Sequence, residues 1–114
     1  MITYIDTSTL LKLIIEEDGS ERAMTIWVSA DAVASVNLIV VEARAALVAA
    51  KRVGRLTDAQ LRSAVFELDA LFKELHVVEV TDELVVSAAE LAEDEGLRGY
   101  DAVHLAAALS VEAA

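Results

Sequence analysis

The sequence predicts a single α/β domain, residues 1–114, in which a small parallel sheet lies between two layers of helices (α/β/α). Three observations support this fold class. Hydrophobic residues make up 56% of the chain, which is enough for a packed core. Three short β-prone runs, MITYI, AVASV and HVVEV, alternate with longer windows of helical periodicity. The chain has no proline and only 4 glycines, so long helices with few interruptions are expected.

The first third of the chain is predicted to contain one strand and two helices. MITYI is the strand, and the window 8–17 is a helix that ends at the acidic turn EEDG. Ser20 is a candidate N-cap for a second helix that runs to about Ala30, because a serine hydroxyl can accept a hydrogen bond from a first-turn N–H.

The middle third is predicted to contain the second strand and two long helices. AVASV at 32–36 is the strand, and Asn37 is expected to cap a helix that ends before Gly54. Thr57 and Gln60 have the spacing of a capping box at the start of the next helix. The apolar residues of that helix fall on one face: Leu61, Val65, Leu68, Phe72 and Leu75.

The last third is predicted to contain the third strand and two more helices. HVVEV at 76–80 is the strand, Asp82 caps a helix that Gly96 ends, and the final helix covers 101–112. Strands separated by helices pair in parallel. In parallel sheets, ligands bind beyond the carboxyl ends of the strands, where the following helices begin.

The charge and composition exclude several classes of protein. The net charge is −11, with 20 acidic and 9 basic residues, whereas generic nucleic-acid-coating proteins are basic. An acidic surplus suits a divalent metal site, a basic partner or simple solubility. Cysteine is absent, and neither an export signal nor an apolar stretch of about 18 residues is visible, so a cytoplasmic protein without membrane association is expected.

Three acidic residues stand where strands end or helices begin. Asp6 follows the first strand, Glu42 lies near the start of the helix after the second strand, and Asp101 opens the last helix. Carboxylates brought together repel unless a proton or cation joins them, and Mg²⁺ or Mn²⁺ prefers such oxygen ligands. An acid at a helix start is most often a simple cap, however, so the residues alone leave both interpretations open.

The chain resembles the PIN-domain ribonucleases, and most closely the VapC toxins of bacterial toxin–antitoxin pairs. The resemblance rests on the opening YIDTS, the helix segment EARAAL and, most specifically, the uninterrupted GLRGYDAVHLAAA from Gly96 onward. It implies a PIN-like three-layer fold and a Mg²⁺- or Mn²⁺-dependent endoribonuclease that hydrolyses RNA phosphodiester bonds. Asp6, Glu42 and Asp101 match the family's catalytic, metal-binding acids, and Ser8 matches a small hydroxyl residue that borders that site, which makes it a candidate for substrate binding.

Two further residues are candidates for substrate binding. Arg98 precedes Asp101 and is placed to meet an RNA phosphate, although a surface salt bridge explains it equally well. His104 lies one turn beyond Asp101, so the two side chains can share a helix face. It is a candidate general base or substrate contact, or a packed histidine beside the site.

The resemblance also implies partners. A VapB-like antitoxin, an RNA substrate and a second copy in a homodimer are expected. The two helices of the middle third carry much apolar surface that could form a groove for a partner helix or be buried on both sides of a central helix. The apolar residues of the first of them are Leu38, Ile39, Val40, Val41, Leu47 and Val48.

One departure from the family bears on activity. The family continues after the final helix with a strand and a T-x-D motif that supplies a fourth acid, and neither follows here. This leaves a second interpretation open, a catalytically impaired PIN-like fragment that acts as an antitoxin-binding or dimerisation module.

Overall fold

The predicted α/β class is confirmed by the computed structural model, which describes residues 2–113. These residues form three parallel strands and six helices, and the strands alternate with pairs of helices. None of these helices is long and apolar enough to cross a bilayer. The elements are β1 (Ile2–Tyr4), α1 (Thr7–Lys12), α2 (Ser20–Ser29), β2 (Ala32–Val36), α3 (Ile39–Arg52), α4 (Asp58–Glu74), β3 (His76–Val78), α5 (Asp82–Glu95) and α6 (Gly99–Ala113).

The strands follow the order β1-β2-β3, with β2 in the centre. Tyr4 lies opposite Ala34 on one side of β2, and Val36 lies opposite Val78 on the other. Ser35, also in β2, is fully buried and donates its hydroxyl hydrogen bond to the carbonyl of Ile5 at 2.8 Å. Since all three strands are parallel, their carboxyl ends meet at one edge of the sheet, where α1, α3 and α5 begin.

Two hydrophobic clusters cover the two faces of the sheet, which makes the fold three-layered. Helices α1, α3 and α4 contribute to the first cluster, whose buried members are Ile5, Leu10, Val33, Ile39, Ala43, Leu47, Ala64, Leu68 and Leu75. Helices α5 and α6 contribute to the second, whose buried members are Val36, Leu84, Ala88, Ala102, Ala106 and Ala107. The first cluster is built from large aliphatic side chains, whereas the second is mostly alanine.

Several predicted helix ends are confirmed, and others are shifted by a residue. Thr57 and Gln60 form both hydrogen bonds of the capping box. Thr81 caps α5 in place of Asp82, because its hydroxyl accepts from the Leu84 N–H at 3.1 Å. Leu38 rather than Asn37 precedes α3, and no side-chain hydrogen bond caps that helix.

The predicted helix over 8–17 is too long. Helix α1 ends at Lys12, and Gly19 rather than Ser20 is the N-cap of α2. The buried Ser20 hydroxyl accepts from the Glu17 N–H at 2.9 Å and donates to the Ile15 carbonyl at 3.1 Å. A serine side chain that bonds local backbone groups stabilises a turn at the expense of a helix, which accounts for the early end of α1.

Candidate active site

An open cleft lies at the carboxyl end of β1, between the start of α1 and the middle of α6. Its volume is about 320 Å³. It is lined by Tyr4, Ile5, Asp6, Thr9, His104, Leu105 and Ala108. The sheet edge predicted to carry the site is therefore the edge at which a cleft is found.

Asp6 is the acidic residue among those that line the cleft. It is exposed and is the N-cap of α1, where its Oδ1 accepts a hydrogen bond from the Thr9 N–H at 3.0 Å. Its Oδ2 forms no hydrogen bond to any residue in 2–113. One carboxylate oxygen thus stabilises the helix start, and the other is free to bind a ligand in the cleft.

Glu42 is bound to His104 rather than left in solvent. The Oε1 atom of Glu42 lies 2.9 Å from Nε2 of His104, and Nδ1 of the same ring lies 2.7 Å from the Tyr4 hydroxyl. The His104 side chain is only 12% exposed. Three residues distant in sequence, from β1, α3 and α6, therefore form one continuous hydrogen-bonded chain.

The chemistry of these groups determines which atom donates and which accepts in each of the two hydrogen bonds of His104. An ionised carboxylate only accepts hydrogen bonds, so Nε2 of His104 must carry the proton donated to Glu42. In a neutral ring Nδ1 then accepts, and the Tyr4 hydroxyl donates to it. A histidine fixed from both sides holds the Glu42 carboxylate in one orientation, as outer groups do for metal ligands.

Tyr4 lies close enough to both carboxylates to respond to their charge. Burial raises the pKa of its phenol above the ordinary value of 10.0, and the negative charges of Glu42 and Asp6 raise it further. Polar contacts with Ser35 and the Val36 backbone oppose the shift. The raised pKa keeps Tyr4 protonated, which agrees with its role as the donor to His104.

Asp101 takes no part in the hydrogen bonds that connect Tyr4, His104 and Glu42. Its Oδ2 accepts a hydrogen bond from Nε of Arg98 at 3.0 Å, one turn earlier. Both partners are exposed, the Arg98 side chain by 89%. The surface salt bridge considered for Arg98 is therefore present, and the expected sharing of a face between Asp101 and His104 produces no hydrogen bond, because His104 turns to Glu42.

Ser8 lies on α1, two residues beyond Asp6. Its hydroxyl accepts a hydrogen bond from Nζ of Lys12 at 3.0 Å, and Lys12 also approaches Glu17 at 3.8 Å. The exposed Ser8 side chain is thus tied to a base on its own helix. No residue lining the cleft hydrogen-bonds to it.

The donor set suits Mg²⁺ or Mn²⁺, but it is not gathered into a closed metal site. Within residues 2–113, no three Asp, Glu, His or Cys side chains are close enough together to hold an ion. Asp6 and Glu42 both lie near Tyr4, and each has a carboxylate oxygen that forms no hydrogen bond to any residue in 2–113. Hard oxygen ligands of this kind fit either ion, with water completing the coordination.

Tyr4 is the residue of the site that the sequence did not reveal. A tyrosine in a short strand normally indicates core packing, and its partner His104 lies 100 residues away. The alternation of side chains along β1 does place Tyr4 on the face that α6 covers, the same face as Val36. This alternation is the one signal that could have linked Tyr4 to the final helix.

Comparison with known proteins gives consistent results. The family model of the PIN domain matches residues 3–114. Ribonuclease VapC45 of Mycobacterium tuberculosis strain CDC 1551 / Oshkosh is 40% identical over 110 residues, which cover 96% of this chain and 76% of that protein. Ribonuclease VapC49 of Mycobacterium tuberculosis strain ATCC 25618 / H37Rv gives the same identity and coverage. The PIN-like fold expected from the sequence is confirmed, and the chain belongs to the PIN-domain family.

Proposed function

We propose that this protein is a VapC-type endoribonuclease that hydrolyses RNA phosphodiester bonds with Mg²⁺ or Mn²⁺. The observation that carries the proposal is the cleft at the end of β1, which Asp6, Tyr4 and His104 line, together with Glu42, which His104 binds and whose charge acts on Tyr4. The 40% identity to two ribonucleases over nearly the whole chain supports the same reaction class.

Each acid has its own part in the proposed reaction. Asp6 and Glu42 are the principal ligands of the ion, and Asp101 joins them when its exposed pair with Arg98 opens. Such a surface pair is worth only about 0–1 kcal/mol, so opening it costs little. When bound, the divalent ion supplies positive charge that makes water more acidic and offsets the charge developing at phosphorus.

Hydrolysis requires a proton acceptor and a fixed geometry. A water oxygen forms a bond to phosphorus while the bond from phosphorus to a ribose oxygen breaks, and the departing oxygen takes up a proton. In this proposal Oε2 of Glu42 is the atom that binds the ion, since Oε1 is occupied by His104, while solvent accepts the proton of the attacking water and supplies the proton of the departing oxygen. His104 is a positioning residue rather than a substrate contact, because Tyr4 and Glu42 occupy both of its ring nitrogens.

The test is cleavage of a mixed RNA pool by the full chain with Mn²⁺, with Mg²⁺ and with excess chelator. Asp6→Asn and Glu42→Gln are expected to lower cleavage by at least about 100-fold, since even the outer partners of metal ligands contribute about 10- to 100-fold. Glu93→Gln, an exposed acid of α5 outside the cleft, is the matched control. Cleavage that survives chelation or the Asp6 substitution would overturn the proposal.

A second function is favoured by one observation, the absence of a gathered three-acid group within the described chain. In this alternative the protein is a catalytically impaired PIN domain that binds an antitoxin or a second copy. Calorimetry with Mn²⁺ separates the two functions. Saturable binding that Asp6→Asn abolishes supports the nuclease, whereas no binding together with tight antitoxin binding supports the impaired module.

The proposed antitoxin partner has a candidate surface on the outer side of α3 and α4. Ile39 and Leu47 of α3 are buried in the core, but Val41, Val48 and Phe66 are exposed. These three side chains suit an apolar segment of an antitoxin or the equivalent surface of a second copy. Val41→Asp is expected to weaken co-purification of the antitoxin and dimer formation; unchanged behaviour in both would place the contact elsewhere.

A further inference from the structure

A second concave surface lies on the other side of α6 from the cleft. This groove has a volume of about 620 Å³ and runs between α5 and α6 to the end of β3. Leu84 and Leu91 of α5 face it seven residues apart, and Ala106 and Leu109 of α6 form the opposite wall. Residues 83–94 of α5 border it over about 16 Å of helix, or three turns.

The floor of the groove is apolar and open to solvent. Leu109 is 46% exposed, although it lies in the interior of a helix in which Ala106 and Ala107 are buried. Val78 and Leu91 are partly buried against the second hydrophobic cluster and still line the groove. Small side chains on α6 leave this space, because alanine fills little of the volume between two helices.

The rim of the groove is acidic. Glu79, Glu83, Glu90 and Asp94 line it, and none of the described residues that line it is basic. None of the four forms an ion pair or a side-chain hydrogen bond within residues 2–113, whereas Glu17, Asp58 and Asp69 elsewhere are paired with bases. Residues 76–113 as a whole contain nine acidic residues and one base, Arg98.

We propose that this groove binds a basic amphipathic helix of a partner protein. Leucine-like side chains of that helix would occupy the floor, and its Lys or Arg side chains would pair with the four carboxylates on the rim. RNA does not fit, because its phosphates would face unpaired carboxylates. A second copy of this chain would bring more negative charge to the same surface, since each chain carries −11.

The proposal does not depend on RNA cleavage. The groove lies on the face of α6 formed by Ala106 and Leu109, while the cleft lies on the face formed by His104 and Ala108. Asp6→Asn is therefore expected to leave binding at the groove unchanged. Partner binding on α3 and α4 would likewise be a separate event.

The test uses a labelled synthetic peptide of about 14 residues, long enough for about four helical turns, with leucines on one face and lysines on both flanks. Fluorescence anisotropy with the full chain measures its Kd. Glu90→Gln/Asp94→Asn is expected to weaken binding about three- to tenfold, because partly exposed charge pairs are worth at most about a factor of five each. Leu109→Ala is expected to weaken it several-fold, with little effect on folding because Leu109 is already half exposed.

The matched control is Glu93→Gln/Glu95→Gln, which removes the same charge from the same helix outside the groove. It should change Kd by less than about twofold, and a peptide with glutamates in place of the lysines should not bind. Equal weakening in the control and groove variants would show non-specific attraction and overturn the proposal. Peptide-induced NMR shifts confined to α3 and α4, or RNA-induced shifts at the groove residues in the absence of the peptide, would overturn it too.

Discussion

The amino-terminal part of the molecule, residues 2–75, and the carboxy-terminal part, residues 76–113, differ in both charge and core. The first part has eleven acidic and eight basic residues, and the second has nine and one. In the first part four ion pairs connect Lys12, Arg44, Lys51 and Arg55 to nearby carboxylates. Within the described part of 76–113, Arg98 and Asp101 form the one pair of this kind.

The two cores show the same contrast. Leucine, isoleucine and valine fill the cluster of the first part, whereas four of the six buried residues in the second cluster are alanines. Small side chains allow α6 to lie close to the sheet, which brings His104 within hydrogen-bonding distance of Tyr4. The first part therefore provides most of the dense packing, and the second provides the close approach of α6 to the sheet and the groove between α5 and α6 with its four acidic residues.

The largest expected effect tests the contrast between the cores. Leu68→Ala removes a side chain with no exposed surface from the dense cluster and should lower the free energy of unfolding by about 3–5 kcal/mol. Leu84→Ala, in the alanine-rich cluster and 7% exposed, should cost about 2–3 kcal/mol. Urea denaturation of both variants measures the difference. Equal losses would mean that the second cluster packs as densely as the first.

The second-largest expected effect tests the hydrogen bond between His104, in the carboxy-terminal part, and Glu42, in the amino-terminal part. His104→Ala should reduce RNA cleavage by about 10- to 100-fold, because Glu42 loses the group that orients it. His104→Gln should restore part of the activity, since its side-chain amide can replace the Nε2 donor. Mn²⁺ titration and kcat are measured for both variants beside unfolding curves. If Gln and Ala are equally impaired at unchanged stability, positioning of Glu42 is not the role of His104.

A smaller effect concerns pH. The raised pKa of Tyr4 means that the unfolded chain releases this proton at a lower pH than the folded chain does. Stability from this group is therefore complete below about pH 10 and is lost as pH rises through the folded pKa. Tyr4→Phe should lose less stability than the parent between neutral and strongly alkaline pH. Tyr100→Phe, at an exposed position, is the control; identical alkaline curves for the parent and Tyr4→Phe would contradict the expectation.

The sequence predicted the elements better than their contacts. Periodicity and capping residues gave the three strands and most helix ends, because both depend on neighbours within a few residues, as in the capping box of Thr57 and Gln60. The predicted end of the first helix was wrong, because the buried Ser20 hydroxyl bonds to the backbone of the turn that follows α1. A hydroxyl's partner depends on the folded turn, which local pattern does not specify.

In the candidate active site, too, the residues were easier to predict than their contacts. Asp6, Glu42 and Asp101 were proposed from their positions at strand ends and from family motifs, and their catalytic roles stay predictions. The partners of Glu42 could not be predicted, because His104 is 62 residues away and helical spacing linked it to Asp101 instead. Which side chains meet across α3, α6 and β1 depends on how closely α6 approaches the sheet, and that distance is set by tertiary packing.

The smallest expected effect concerns the exposed pair of Arg98 and Asp101. Arg98→Gln should change the free energy of unfolding by less than about 1 kcal/mol, because both side chains lie in solvent. If the pair competes with metal for Asp101, the variant should bind Mn²⁺ up to about fivefold more tightly, which is the factor that about 1 kcal/mol corresponds to. If Arg98 instead binds RNA phosphate, KM should rise while Mn²⁺ affinity stays the same. Arg22→Gln, an exposed base on α2, controls for the loss of one positive charge. Tighter Mn²⁺ binding in Arg98→Gln but not in Arg22→Gln would show that Asp101, which belongs to the acidic carboxy-terminal part of the molecule, takes part in metal binding at the catalytic site.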